Sequence, residues 1–205
     1  TLTAPTVRVV GSPVIEGNRV DAFGTLTTVV TDRQILDLNA VDVASALRRT
    51  PGVTISRFNP VGSFGGSEGG AIFIRGFGAS RPGGEIKTYI DGIPFFMGVW
   101  NHPLLDLLPV NGIESITVHK GPQPHIQGNN LAFVEITTRR ATEEGVAGGL
   151  RLQGGSFGTV VEQADVAVRQ GDLGVYVAQG FARSSGHRDN AGGRLANLLG
   201  RVDYR

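Results

Sequence analysis

Four consecutive stretches near the C-terminal end constrain the possible fold most strongly. "AGGLRLQGG" begins at Ala147, "VEQADVAVRQ" at Val161, "LGVYVAQGFA" at Leu173 and "RLANLLGRVDYR" at Arg194. Apolar and polar residues alternate through them, most clearly in the first, where Leu150 and Leu152 share one side. This period of two predicts β-strands, and the short Gly- and Asp-containing links between the stretches predict an antiparallel meander.

The length of these strands leaves two interpretations open. A tilted strand that crosses a bilayer needs about 9–11 residues, and membrane barrels show this weak alternation with one apolar face. An ordinary half-buried sheet of a soluble protein has the same pattern. Four strands cannot close a barrel, and an open sheet edge is not viable in lipid. If the strands are membrane strands, the chain is expected to be the front of a longer protein.

The preceding residues follow a different pattern. "TDRQILDL" at 31–38 and "AVDVASALRRTPGV" at 40–53 are typical of two short helices, the second ended by Pro-Gly. Five β-branched segments bounded by Gly, Pro or Asn then predict strands at Val53–Arg57, Ala71–Gly76, Ile86–Ile90, Ile113–His119 and Ala132–Thr138. We therefore expect an extended segment at 1–30, a small α+β domain at 31–143 and the meander at 144–205.

Composition excludes several classes of function. The net charge of +1 provides no electrostatic case for binding nucleic acid, and the absence of Cys excludes disulfides and thiolate metal sites. The histidines at 102, 119, 125 and 187 lack a metal-ligand spacing, and no Ser/His/Asp arrangement is suggested. We therefore predict no catalytic residues, no cofactor and no defined metal site. Asp91, in an Asp-Gly turn, is expected to cap backbone amides.

Several motifs together resemble one family. They are "DVASALRRTPGV" (42–53), "IFIRGFG" (72–78), "YIDGIPF" (89–95) and "IESITVHKGP" (113–122) with a closing "ITTRR" (136–140). In this order they resemble the N-terminal plug and first barrel strands of TonB-dependent outer-membrane receptors. The resemblance covers nearly the whole chain. It is weakest at 123–133, where "QPHIQGNNLAF" replaces the family's small residues and Tyr-Gly pair.

The resemblance implies a function and a location. It implies a transporter, not an enzyme, that takes up a scarce ligand across the bacterial outer membrane with energy supplied by TonB. The ligand would be an iron–siderophore complex, or otherwise cobalamin, haem, copper or a glycan. The plug would lie inside the barrel lumen, with its N-terminus in the periplasm and lipid around the barrel. A soluble or signalling ligand-binding module that shares the plug fold is the alternative, and a hydrolase using Asp91 or His102 is a more distant one.

The resemblance also assigns tentative site residues. The apex of the plug would carry ligand-binding side chains, and the apolar tip after the Asp-Gly turn would meet either the ligand or the barrel wall: Phe64, Phe95, Phe96, Met97, Trp100 and His102. Charged plug residues would form ion pairs with the barrel: Arg75, Glu114 and Lys120. An extended stretch would contact TonB or form the first plug strand: Thr6, Val7, Arg8, Val9 and Val10.

Overall fold

The computed structural model describes residues 17–20, 26–57, 61, 69–78, 86–97, 102–103, 107–127 and 130–205. The predicted TonB contact at 6–10, together with Phe64 and Trp100, lies outside these residues. All statements below concern the described part of the chain.

A six-stranded mixed sheet organises the N-terminal part of the chain. Its strands, in the spatial order β1–β2–β9–β10–β5–β6, are Gly17–Val20 (β1), Leu26–Thr31 (β2), Ile113–His119 (β9), Ala132–Thr138 (β10), Ile86–Ile90 (β5) and Ile93–Pro94 (β6). β10 pairs antiparallel with β9 and parallel with β5, and the other pairs are antiparallel. β10 therefore lies inside the sheet, which explains why its β-branched and aromatic side chains are buried almost without interruption.

The core of this part lies between the sheet and two short helices. The helices are α1 (Asp32–Asp37) and α2 (Val43–Ala46), and each begins with a capping box, Thr31 with Gln34 and Asp42 with Ser45. Aliphatic side chains from helices and strands form one buried cluster that includes Ile35, Val43, Leu47, Ile74, Ile116, Val118, Val134 and Ile136. The capping boxes fix where the helices begin, and the buried aliphatic side chains fix which face turns inward.

The second helix is shorter than the sequence predicts. It ends at Ala46, and residues 47–52 form turns before β3 (Val53–Arg57) begins. Leu47 is fully buried, and its amide hydrogen-bonds to carbonyls of the preceding turn, which tightens the end of the helix. Pro51 disfavours a helical conformation at Thr50, and Gly52 adopts a φ of +75°, which reverses the chain.

Two small hairpins complete the N-terminal part. β3 pairs antiparallel with β4 (Gly69–Ile74), which begins two residues before the predicted strand and ends two residues before its predicted end. β7 (Phe96–Met97) pairs antiparallel with β8 (His102–Pro103). A 3-10 helix at Val110–Gly112 then leads directly into β9.

The predicted C-terminal meander is present. Strands β11 (Gly145–Gly155), β12 (Thr159–Gln170), β13 (Leu173–Ser184) and β14 (Gly193–Tyr204) pair antiparallel in chain order. The side chains on one face, here called the inner face, point towards the six-stranded sheet and include Gln163, Tyr176, Ala178 and Leu195, all buried. Exposed aliphatic side chains cover much of the opposite, outer face, including Leu150, Leu152, Leu198 and Val202.

The predicted fold class is therefore confirmed: a small mixed sheet with short helices is followed by long antiparallel strands. Among the described residues, no helix is long and apolar enough to span a membrane.

Candidate functional site

An ion pair and several hydrogen bonds around Asp91 join the two sheets. Its Oδ2 lies 2.7 Å from Arg201 Nη1 on the inner face of β14. It also accepts a hydrogen bond from Thr138 Oγ1 at 2.6 Å, while Asp91 Oδ1 accepts from the Thr138 amide at 3.0 Å. Arg201 Nε donates to Asp203 at 2.9 Å, so the guanidinium connects two carboxylates. Arg201 and Asp91 expose only 18% and 25% of their side chains, so water screens the pair weakly.

The turn that presents Asp91 explains why this residue reaches the meander. Asp91 and Gly92 form the two-residue link between β5 and β6, with φ angles of +49° and +83°. Positive φ at both positions is the arrangement that an Asp-Gly pair favours in a tight hairpin. The Asp91 amide donates to the Ile136 carbonyl, which fixes the turn against β10. The expectation that Asp91 accepts a hydrogen bond from a backbone amide is confirmed.

A second contact is made by the 3-10 helix. Asn111 Nδ2 donates to the Ala164 carbonyl of β12 at 2.9 Å, and the hydroxyl of Tyr176 on β13 donates to the Asn111 carbonyl at 3.0 Å. Next to it, a Cβ on Gly112 would lie 2.7 Å from Leu199 Cδ2 and 3.3 Å from Ala178 Cβ. The absence of a side chain at Gly112 is therefore what permits this close approach of the two sheets.

A third contact joins the meander to the loop between α1 and α2. Arg151 Nη2 on β11 donates to the Leu36 carbonyl and to the side chain of Asn39. Gln163 Nε2 on β12 donates to the Ala40 carbonyl at 3.0 Å, and this bond is buried. Meander side chains thus hydrogen-bond to backbone carbonyls at and beyond the end of α1, and the Leu36 carbonyl also accepts from the Asn39 amide.

Val61 makes an apolar contact with the inner face of the meander. This residue is only 1% exposed and packs with Val161, Ala182 and Leu195 from three neighbouring strands of the meander. Val41, in the loop before α2, packs against the same cluster. Val61 therefore acts as an apolar anchor on the inner face of the meander.

The structure also places the three residues predicted to form ion pairs with the barrel. Arg75 is exposed, has a φ of +51° and donates from Nη1 to the Lys120 carbonyl at 3.2 Å. Lys120 is 2% exposed, at the end of β9. Glu114 lines a cavity of about 380 Å³ with Arg139, Asp165 and Tyr176. Their pairing with barrel carboxylates or cations remains a prediction.

The structure places part of the predicted apolar tip. Phe95 is half-buried, and its amide donates to the Thr88 carbonyl at 2.8 Å. Phe96, Met97 and His102 belong to the β7–β8 hairpin, in which Met97 and His102 are directly opposite each other. The hairpin therefore brings three of the predicted ligand-binding positions together. Their contact with a ligand remains a prediction.

Buried polar groups also occur among the described residues of the stretch 123–133, where the sequence departs from the family pattern. Gln123 is fully buried, and Asn130 Nδ2 donates to the Tyr89 hydroxyl at 2.8 Å. The ring of His119 stacks on Phe133 with centroids 4.1 Å apart. These contacts support the end of the sheet opposite Asp91. In the part of the chain that the structure describes, no group of three or more His, Asp or Glu could hold a metal ion.

Comparison with known proteins identifies the family. The model of the TonB-dependent receptor plug domain matches residues 21–132, which is more than half of the chain. The chain belongs to this family. The six-stranded sheet and its helices are accordingly the plug, and the resemblance drawn from the motifs at 42–53, 72–78, 89–95 and 113–122 is confirmed.

Relatives of the plug agree with this assignment. The vitamin B12 transporter BtuB of Vibrio vulnificus (strain CMCP6) is 32% identical over 127 residues, which cover 58% of this chain and 18% of BtuB. The alcaligin outer-membrane receptor FauA of Bordetella pertussis superposes with a TM-score of 0.64 at 19% identity, over 87% of this chain and 29% of FauA.

The siderophore receptor PirA of Pseudomonas aeruginosa superposes with a TM-score of 0.61 at 20% identity, over 87% of this chain and 30% of PirA. These structural matches show the fold, which includes the meander as well as the plug. The chain spans less than a third of the length of each of these three relatives.

Sequence reasoning missed the residues that join the plug to the meander: Asn111, Arg151, Gln163, Tyr176 and Arg201. One signal was available for most of them. The alternation in β11, β12 and β14 places Arg151, Gln163 and Arg201 on the face opposite the exposed aliphatic residues. A polar side chain on the face that meets another part of the protein needs a partner there. The identity of that partner could not be obtained from the pattern.

Proposed function

We propose that the chain forms the plug and the first four barrel strands of an outer-membrane receptor that takes up a scarce ligand by TonB-dependent transport. One observation carries the proposal: the plug is docked on the inner face of a meander whose outer face is apolar. A plug held in this way would occupy the lumen of a barrel, and the outer face would contact lipid.

The outer face of the meander supports the location in a membrane. The exposed fractions of Val146, Leu198, Val202 and Tyr204 are 76%, 70%, 68% and 80%. Soluble proteins rarely expose a continuous apolar surface of this kind without a partner. The strands have 11 or 12 residues each, which is long enough for a tilted strand to cross the hydrocarbon core. This face also argues against the alternative of a soluble or signalling plug-like module.

The order of the strands supports energy input at the N-terminus. β1 is an edge strand of the plug sheet, and β2 is the next strand inward. A pull on the residues before β1 would therefore act first on the edge of the sheet, where the fewest hydrogen bonds must break. We propose that Thr6–Val10 supply this point of attachment by adding a strand to TonB, the periplasmic partner.

The proposed ligand is an iron–siderophore complex. FauA and PirA are named as receptors for alcaligin and for a siderophore, whereas BtuB is named as a transporter of vitamin B12. Cobalamin is therefore one alternative, and haem, copper and a glycan are the other candidates that the family resemblance implies. The proposed ligand contacts are Phe64, Phe95, Phe96, Met97, Trp100 and His102 at the plug apex.

Replacing Val7 with Pro tests the function. In the full-length receptor in living cells, we expect Val7→Pro to abolish uptake, because proline removes an amide that an added strand needs and restricts φ. Binding at the cell surface should be unchanged. The measurement is uptake and surface binding of a panel of ferric siderophores, haem and cyanocobalamin, in cells with and without TonB.

A matched substitution separates the effect of the site from that of proline itself. Thr3→Pro lies outside the proposed contact and should leave uptake within about twofold of wild type, because the residues before the contact make no strand pairing with TonB. Normal uptake by Val7→Pro would contradict the TonB contact at Thr6–Val10. Uptake that is equal in cells lacking TonB would contradict the proposed function as a whole.

A further inference from the structure

Two arginines face each other at one end of the outer face of the meander. Arg183 on β13 and Arg194 on β14 are register partners, and both are exposed. The alternation of β13 and β14 places both side chains on the outer face, since their neighbours Ala182 and Leu195 are buried on the inner face. Within the described residues, neither guanidinium forms a hydrogen bond or an ion pair.

Like charges in this position require an explanation. Side chains directly opposite each other on antiparallel strands have Cβ atoms about 4.5–5.5 Å apart, and like charges at this distance destabilise the sheet. The nearest acidic residue on the same face is Glu162 of β12, whose register partner is Phe181 and not Arg183. It forms no ion pair with either arginine in the part of the chain that the structure describes. Glu162 lies on the diagonal from Arg183, so it offsets the repulsion between the two cations only in part.

The two arginines lie at the border of the apolar band. Going from the opposite end, the outer-face rows of these strands are Leu173 with Tyr204, Val175 with Val202, Val177 with Gly200, Gln179 with Leu198 and Phe181 with Ala196. The next row is the arginine pair. Arg183 is ten positions beyond Leu173 along β13. This spacing corresponds to about 33 Å along a strand and to about 25 Å across the membrane at the usual tilt. This equals the usual height of the lipid-facing band.

The same end of the meander is the extracellular end. The connection between β13 and β14 at this end runs over residues 185–192, whereas the other end has the two-residue turn Gly171–Asp172. Barrels of the outer membrane have short periplasmic turns and longer extracellular loops. The arginine pair therefore faces the headgroup region of the outer leaflet.

We propose that Arg183 and Arg194 together bind a phosphate group on a lipid headgroup of the outer leaflet. A guanidinium donates two parallel hydrogen bonds to phosphate oxygens, and two guanidinium groups from adjacent strands can hold one phosphate between them. The anion converts the repulsion between the arginines into two attractive contacts. The proposal rests on the membrane location of the meander, but not on the identity of the ligand or on TonB.

The test compares lipids that differ in their phosphate. The full-length receptor is reconstituted in nanodiscs that contain phosphatidic acid or a neutral galactolipid with the same acyl chains. Retained lipid is then counted by native mass spectrometry. We expect wild type to prefer phosphatidic acid and Arg183→Gln/Arg194→Gln to bind it roughly thirtyfold more weakly, since each of the two surface arginines contributes about 1 kcal/mol of attraction to anionic lipid. Arg183→Lys/Arg194→Lys should retain an intermediate preference, because lysine keeps the charge but loses the two-pronged contact.

Two controls complete the design. Arg140→Gln removes an exposed cation near the periplasmic end and should leave the preference unchanged. Glycerol phosphate, added to the receptor in detergent, should bind much more weakly than phosphatidic acid. Equal affinity for glycerol phosphate would overturn the assignment of a lipid as the source of the phosphate.

Other outcomes also decide the proposal. A double Gln variant with the wild-type preference for phosphatidic acid would overturn it. If that variant loses stability equally in both lipids, the arginines pair with another part of the receptor, and the proposal is wrong. Failure of the wild-type receptor to enter either nanodisc would instead contradict the membrane location of the meander.

Discussion

Replacing Asp91 with Ala is expected to weaken the attachment of the plug to β14 by about 2–3 kcal/mol, because the partly buried guanidinium of Arg201 loses one of its two carboxylate partners and Thr138 loses its acceptor. The substitution removes the acceptor for the amide and the hydroxyl of Thr138 and one of two acceptors for Arg201 Nη1, which also donates to Thr138 Oγ1. Hydrogen exchange of the β5 and β10 amides in the full-length receptor measures the free energy of local opening. The effect should be largest at the Thr138 amide, which donates directly to Asp91.

A double-mutant cycle isolates the ion pair from the other losses. Arg201→Gln removes the cation, and combining it with Asp91→Ala should cost less than the sum of the two single changes. Asp91→Asn keeps an acceptor for Thr138 but removes the charge, so it should have an intermediate effect. Asp203→Ala removes the other carboxylate beside Arg201 and leaves the Asp91 contacts in place, so it should change exchange in β10 much less.

The cycle can also contradict this account. If the effects of Asp91→Ala and Arg201→Gln add fully, the ion pair between the two residues does not stabilise the docked plug. If Asp203→Ala raises exchange in β10 as much as Asp91→Ala does, Arg201 acts mainly through β14. In that case, the contact between plug and meander is held by Asn111 and Gln163 instead.

The local structure could largely be predicted from the sequence. β3, β5, β9 and β10 begin and end at the predicted residues because β-branched runs are bounded by Gly, Pro or Asn. The two faces of the meander could also be predicted, since Leu150 and Leu152 are exposed while Arg151 contacts the plug. Both results rest on short-range patterns, which a single sequence contains.

The end of α2 could not be predicted in the same way. The pattern at 40–53 continues to favour a helix beyond Ala46, but Leu47 must remain in the core while the chain turns towards β3. The core position of Leu47 depends on strands that lie far along the chain, such as β4 and β9, whose side chains belong to the same cluster. Tertiary packing here outweighs local helix preference.

The site itself depends on long-range pairing. Asp91 could be expected to accept a hydrogen bond from a backbone amide. The donor, Thr138, and the ion-pair partner, Arg201, could not be predicted, because both are distant in the sequence. These partners depend on the register of β5 with β10 and on the position of β14. The predicted pairs of Arg75, Glu114 and Lys120 rest on the family resemblance, and they require measurements on the complete receptor.

Replacing Val61 with Asp is expected to have the second large effect. The free energy that holds residue 61 on the inner face should fall by about 3 kcal/mol or more, because an unpaired carboxylate would enter an apolar site. Val61→Ala should cost about 1.5 kcal/mol for two lost methyl groups, and Val61→Thr, which keeps the shape, should lie between the two.

The loss at Val61 is limited by the free energy of local opening, because the chain can leave its site on Val161, Ala182 and Leu195 without unfolding the rest of the plug. Limited proteolysis near residue 61 should therefore be faster than in wild type for all three variants, least for Val61→Ala, more for Val61→Thr and most for Val61→Asp. Hydrogen exchange of β10 should stay unchanged. A double-mutant cycle with Leu195→Ala should show coupling between the two side chains, since they share one apolar cluster. Equal proteolysis of Val61→Asp and wild type would mean that Val61 does not anchor this part of the chain to the inner face.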